Sequence, residues 1–259
     1  MSWIEVIILL TAGFAVGFIN TMAGGATVIS LAAMIVLGLP ISVANATHRV
    51  AAMFQTLASS GAFFRQKVLD LRTGLKLGIP VTLGSIIGAW VAVDIDEKTF
   101  ELIAGFAMLT MLVAMIFKPA LWLQGKAKEP TLNPSPWQYL LFFALGLYGG
   151  FIYIGIGYFL LAALVLGTGF DLLRANALKV FIVLLYVPFT LVLFVINDLI
   201  HWPYALVLSA GQATGAYIAA RVSVKMGTGF IRWFMIIFIL VTLAELFGII
   251  NLKALFDIR

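Results

Sequence analysis

Two basic residues sit where an apolar chain has least reason to hold them. Arg49 follows Ala44-Asn45-Ala46-Thr47-His48, and Lys179 follows Ala175-Asn176-Ala177-Leu178. Each lies in a hydrophobic run without an acidic neighbour, just after a shared Ala-Asn-Ala. A charged side chain costs about 2.5–3.5 kcal/mol at the centre of a membrane helix on insertion scales, so a matched pair calls for a partner. Anion binding by two cations flanking one cavity would supply it. The competing reading is snorkelling, in which a long side chain runs from near a helix end to the headgroups.

Further donors lie in two breaks in the hydrophobic pattern. The first is Asn20-Thr21-Met22-Ala23-Gly24-Gly25-Ala26-Thr27; the second is Gly155-Ile156-Gly157, shortly after Tyr153. Helices starting at these breaks would present unpaired N–H groups and the positive ends of their dipoles. Gly24, Gly25, Gly155 and Gly157 leave the backbone accessible, and Asn20, Thr21 and Thr27 add side-chain donors. Two facing helix N-termini make an oxyanion site without further charge. The candidate substrate-binding set is therefore Asn20, Thr21, Gly24, Gly25, Thr27, Asn45, Thr47, His48, Arg49, Tyr153, Gly155, Gly157, Asn176 and Lys179. Tyr153 stands where Asn20 does in the other half, so the halves of the site differ chemically. His48 is a candidate carrier of a coupling proton, because imidazole titrates near neutral pH, although Arg49 beside it opposes its charged form. Gln212 and Thr214, with only Ser85 as a polar counterpart, are candidates to face the cavity from one half.

Catalytic patterns are absent. No His-Glu-x-x-His, Gly-x-Ser-x-Gly or P-loop sequence occurs, and no carboxylate pair lies within the apolar runs. The expectation is a non-enzyme that needs no cofactor or metal. A carrier of cations would want Asp or Glu near the middle of its spans; this interior is basic and neutral-polar, which favours an anion.

The elements that must position these residues are written twice. Gly13-Phe14-Ala15-Val16-Gly17-Phe18-Ile19 returns as Gly146-Leu147-Tyr148-Gly149-Gly150-Phe151-Ile152. Gly84-Ser85-Ile86-Ile87-Gly88-Ala89 returns as Gly211-Gln212-Ala213-Thr214-Gly215-Ala216. With 63% hydrophobic residues, 10% charged and a mean hydropathy of +1.12, the chain reads as a polytopic membrane protein. A net charge of +5, lying mostly in short loops, sets topology rather than nucleic-acid binding. The implied partners are a small inorganic or organic anion and the lipid bilayer, with a homo-oligomer left open.

Five apolar segments are predicted in each half: 3–19, 27–38, 45–64, 73–93 and 97–117, then 136–153, 157–167, 172–196, 203–221 and 228–250. The organisation is a first membrane repeat (1–117), a cytoplasmic linker (118–135) and a second repeat (136–259). Placing Arg65, Lys67 and Arg72 in the cytoplasm puts Lys118, Lys126, Lys128, Arg174, Arg221, Lys225 and Arg232 there too, with both termini outside. All six tryptophans fall near segment ends, as an aromatic belt requires. An odd number of segments per half makes this an all-α, inverted-topology repeat. Segments two and seven, about a dozen residues and roughly 18 Å long, are too short for a hydrocarbon core of about 30 Å. They are read as re-entrant or broken helices whose tips meet near the midplane. Gly84-xxx-Gly88 and Gly211-xxx-Gly215 are read as helix-packing motifs.

Taken in order, Gly13-xxx-Gly17-Phe18, Ala23-Gly24-Gly25, Leu37-Gly38-Leu39-Pro40 and Ala44-Asn45-Ala46-Thr47 resemble the sulfite exporter TauE/SafE family, also called the toluene sulfonate uptake permeases. The resemblance spans nearly the whole chain, departing at Gly24-Gly25-Ala26, where a third glycine often follows. It implies a permease of the bacterial inner membrane for sulfite, organosulfonates or related sulfur oxyanions, driven by an ion gradient. The alternatives are an anion channel, and a membrane scaffold with no translocated substrate.

Overall fold

The apolar segments fold as helices, and local chemistry sets their ends. The structure, a computed structural model, describes residues 1–91, 134–151, 153 and 155–246. Among these, α1 (Trp3–Met22), α2 (Thr27–Val36), α3 (Ile41–Arg65) and α4 (Leu71–Val91) form the first half. The second half holds α5 (Pro136–Phe151), α6 (Ile156–Ala162), α7 (Leu172–Ile196) and α8 (Trp202–Leu246). Segment five, the linker up to 133 and the end of segment ten lie outside the described residues.

A capping box starts α1: Ser2 Oγ accepts from the Glu5 N–H, and the Glu5 carboxylate from the Ser2 N–H. Asp171 caps α7 by accepting from the Leu173 and Arg174 N–H groups. Asp70 does the same for α4. Partial burial opposes ionisation of Asp70, but hydrogen bonds from Thr73 and Arg72 and the Arg72 charge hold its carboxyl below the ordinary value.

Three expected boundaries move. Helix α1 runs to Met22, so Asn20 and Thr21 are helical and the break is narrowed to residues 23–26. It ends at Gly24 and Gly25, whose φ values of +82° and +118° side-chain-bearing residues avoid. Helix α3 starts at Ile41, directly after Pro40, instead of at residue 45. The loop expected between segments nine and ten is a single residue: α8 is helical throughout except at Gly227, φ +78°. The chain folds back there, so that Phe234 packs edge-on against Phe18 of α1 at 5.9 Å.

Both short elements are short in the structure. Helix α2 has 10 residues; α6 has 7 and runs into a π-helical turn, Ala163–Gly167. At 1.5 Å per residue each reaches roughly half of a 30 Å hydrocarbon core.

Packing interlocks the halves. Helix α1 makes its most extensive contact with α8, and α4 with α5, while α3 and α7 pack on each other between them. The glycine motifs seat both crossings. A Cβ on Gly13 or Gly17 would run into the α8 backbone at Leu208 or Gln212, and one on Gly211 or Gly215 into α1 at Leu10 or Phe14. Gly84 and Gly88 meet α5 at Phe143 and Leu147, while Gly146 and Gly150 meet α4 at Val81 and Ser85. Small residues here let the backbones touch. Partner numbers rise together at both crossings, so the paired helices run parallel.

Polarity is inside out relative to a water-soluble fold. Ile4, Ile7, Leu10 and Phe14 of α1, and Leu75, Ile79, Leu83 and Ile87 of α4, lie exposed along outer faces. Asn20, Thr21, Ser30, His48, Arg49, Gln55, Asn176, Lys179 and Gln212 are buried. Lipid is the solvent that rewards this arrangement. Helices Trp3–Met22 and Leu172–Ile196 are each long and apolar enough to span it, with mean hydropathies of 1.9 and 2.6. The tryptophans of the described residues, 3, 90, 137, 202 and 233, are all exposed, as belt residues should be.

Candidate functional site

The two breaks touch. A Cβ on Gly24 would lie 2.9 Å from the Cα of Gly157, and one on Gly25 would strike the Tyr158 ring. Beside this contact a cavity of about 340 Å³, its mouth included, is lined by Asn20, Gly24, Gly25, Thr27, Gln55, Thr56, Tyr153, Gly155, Ile156, Gly157, Lys179, Val180 and Val183.

The backbone around the break is held from within. Asn20 Oδ1 accepts from the Gly25 and Ala26 N–H groups at 2.8 and 2.7 Å, folding the α1 end over the start of α2. Two N–H groups of the break, just ahead of α2, are thus engaged. Asn20 serves here as an acceptor for the backbone, whereas its sequence suggested a donor for a ligand.

Neither cation snorkels. Arg49 is 0% and Lys179 2% exposed, both enclosed by protein. The Lys179 ammonium donates to the carbonyls of Asn20 (2.9 Å) and Thr21 (3.3 Å), the orphan acceptors at the end of α1, where the helix dipole also favours a cation. Arg49 does the equivalent for the other half, its Nη2 donating to the carbonyl of Gly150 near the end of α5 at 3.0 Å. Each repeat's cation therefore caps the first helix of the opposite repeat. The Arg49 Cζ also lies 5.4 Å from the Tyr153 ring centroid and 4.9 Å from that of Phe194. Its Nε and Nη1 have no hydrogen-bond partner among the described residues. No Asp or Glu is among the buried residues described. A buried cation without a counter-charge is costly, and a bound anion removes that cost.

His48 is also fully buried. Its Nδ1 lies 2.7 Å from Ser30 Oγ and 3.2 Å from the Gln212 amide nitrogen, and its ring stands edge-on to Tyr153 at 5.4 Å. His48 Nε2 has no hydrogen-bond partner among the described residues.

Of the residues singled out in the sequence, eight line the cavity: Asn20, Gly24, Gly25, Thr27, Tyr153, Gly155, Gly157 and Lys179. His48 and Arg49 reach it only through Tyr153. Thr21 contributes its carbonyl to Lys179. Asn176 is buried one turn before Lys179 with both side-chain polar atoms unpartnered, while Asn45 is only half-buried. Thr47 Oγ1 accepts from the His201 N–H at 3.0 Å, tying α3 to the start of α8. Gln212 holds His48, and Thr214 bonds back to the Ala210 carbonyl on an exposed face. Sequence reasoning missed Gln55 and Thr56. They stand seven residues after His48 and Arg49, two turns on along the same side of α3, and that spacing was the available signal.

Comparison with known proteins gives the family. The family described as "Sulfite exporter TauE/SafE" matches residues 9–246. A "Probable membrane transporter protein" of Haemophilus influenzae is 29% identical over 230 residues, covering 89% of each chain. "Probable membrane transporter protein YfcA" of Escherichia coli K12 is 26% identical, covering 89% of this chain and 85% of that one. "Probable membrane transporter protein YunE" of Bacillus subtilis is 26% identical, covering 88% and 91%. No solved structure matches. A match over nearly the whole chain means that this protein belongs to the sulfite exporter TauE/SafE family.

Proposed function

We propose that the chain is a secondary membrane transporter for a small anion, sulfite, an organosulfonate or a related sulfur oxyanion, bound in the cavity where the two breaks meet. The observation that carries this is the Lys179 ammonium, buried at a small cavity with glycine backbone around it and no carboxylate among the described lining residues. Two of its three N–H donors are engaged by the α1 carbonyls, and the ammonium keeps a third for a ligand. The family and the names of the relatives support membrane transport. Their names do not choose the anion; the chemistry of the cavity supports this class.

Alternating access follows from the duplicated architecture. Helix α1 and the first arm of α8 run parallel, as do α4 and α5, which is what alternating segments one and nine, and four and six, require. Exchange of packing partners between halves is what an inverted repeat in the bacterial inner membrane would produce, with its site at the repeat interface. Rocking one half against the other would expose the cavity to each side in turn.

Purified protein in liposomes, loaded with unlabelled sulfite, should take up radiolabelled sulfite faster than empty liposomes do. A channel would show no such trans-stimulation, and a scaffold no uptake. Sulfite or a small sulfonate should also raise the melting temperature of the wild type, because a ligand of the folded state stabilises it by mass action. Lys179→Gln should lose that response. Stabilisation of wild type and variant alike would place the anion elsewhere.

A further inference from the structure

We infer that Arg49 and His48 form a second oxyanion site, separate from the Lys179 cavity and divided from it by the Tyr153 ring. This rests on the proposed transport of a small anion, but it concerns groups that the cavity does not include.

The observation is a concentration of idle donors. A guanidinium carries five N–H groups, and the one hydrogen bond made by Arg49 goes from Nη2 to Gly150. Its Nε and Nη1 are enclosed and unpartnered, and so is His48 Nε2. Both side chains are 0% exposed. The partner the guanidinium lacks must accept hydrogen bonds and bring negative charge, because no Asp or Glu is among the residues described as buried. Water would satisfy the N–H groups and leave the charge uncompensated. An oxyanion does both, and a guanidinium suits it because it never gives up its proton.

Lys179 presents the contrast. Its ammonium is bonded to two carbonyls and lies on the cavity wall. Tyr153 belongs to both places: it lines the cavity, and its ring lies against both His48 and Arg49. An anion leaving Lys179 meets Arg49 once that ring turns aside. Two stations joined by one aromatic partition give the substrate a step within the protein, and neither station has to bind so tightly that release stalls.

Equilibrium dialysis of the purified protein against radiolabelled sulfite tests this. Two anions should bind per wild-type chain, one per Arg49→Gln chain and one per Lys179→Gln chain. His48→Gln should weaken one of the two sites by about tenfold and leave the other unchanged. A single site in the wild type, or two sites surviving in folded Arg49→Gln protein, overturns the second site while leaving transport intact. No binding to the wild type at all overturns both this site and the proposed function. Should Arg49→Gln fail to fold, the wild-type stoichiometry and the His48→Gln titration still decide.

Discussion

Arg49 and Lys179 occupy matching places in the two halves, cap the first helix of the opposite half, and are buried alike. Their surroundings are not alike. Lys179 meets two carbonyls and a cavity; Arg49 meets one carbonyl, two aromatic rings and two nitrogens' worth of unused donors. The duplicated backbone thus fixes where the charges go, and the unduplicated side chains decide what each does. Tyr153 is the sharpest case: its counterpart Asn20 turns inward to hold the break, whereas Tyr153 stands between the two charges.

The largest expected effect falls on what the halves share. Gly17→Leu and Gly150→Leu put side chains into the backbones of α8 and α4. Each should cost more than about 4 kcal/mol, the range of severe core disruption, and yield no monodisperse protein on size-exclusion chromatography. If one folds and the other does not, the two crossings are not equivalent and the shared-backbone half of the comparison fails.

Next come the cations, where the sign should differ. Lys179→Met leaves two buried carbonyls without a donor, at about 1–3 kcal/mol each, and should lower the melting temperature. Arg49→Met also orphans one carbonyl, yet it removes an uncompensated buried charge. Replacing buried ionic groups by apolar ones is often neutral or stabilising by about 1–4 kcal/mol. Melting without added anion should therefore show Lys179→Met well below the wild type and Arg49→Met at or above it, with sulfite uptake lost in both. Equal destabilisation would mean that Arg49 is as well satisfied as Lys179.

These pairs also mark what could be read from the chain. The all-helical character and the order of the helical segments among the described residues, and the packing role of the glycines, were legible, because hydrophobic run length and small-residue spacing are local signals. Which glycine pair meets which was not, since Gly13-xxx-Gly17 carries no mark of its partner in α8. The acceptors of Lys179 and Arg49 are backbone carbonyls, which every residue has, so no spacing betrays them. The end of α1 was misplaced because Asn20 and Thr21 looked like a break; the Asn20 side chain bonds across the break instead, and the Thr21 carbonyl accepts from Lys179. Gln55 and Thr56 were readable from their seven-residue offset from His48 and Arg49.

A smaller effect is expected at the partition. Tyr153→Leu removes a ring that stacks on Arg49, a contact worth about 0.5–2 kcal/mol, and opens the way between the stations. Melting should fall by about that amount. In liposomes the trans-stimulation ratio should drop toward one as sulfite leaks without exchange. A ratio unchanged from the wild type would show that Tyr153 packs the core without dividing anything.

The smallest expected effect sharpens the boundary of the site. Thr47 lies next to His48 and two residues from Arg49, and its sequence position alone would enrol it in anion binding. In the fold its hydroxyl accepts from the His201 N–H, at the point where α8 begins. Thr47→Val keeps the shape and removes the acceptor, so stability should fall by about 1 kcal/mol, the usual worth of one hydrogen bond. Sulfite affinity should stay within about twofold, since no hydroxyl was offered to the anion. Successive residues on a helix point about a hundred degrees apart, which is why Thr47 can tie two helices together while Arg49, two residues on, holds charge on another side. Loss of affinity at full stability would move Thr47 into the site and turn that face of α3 toward the anion.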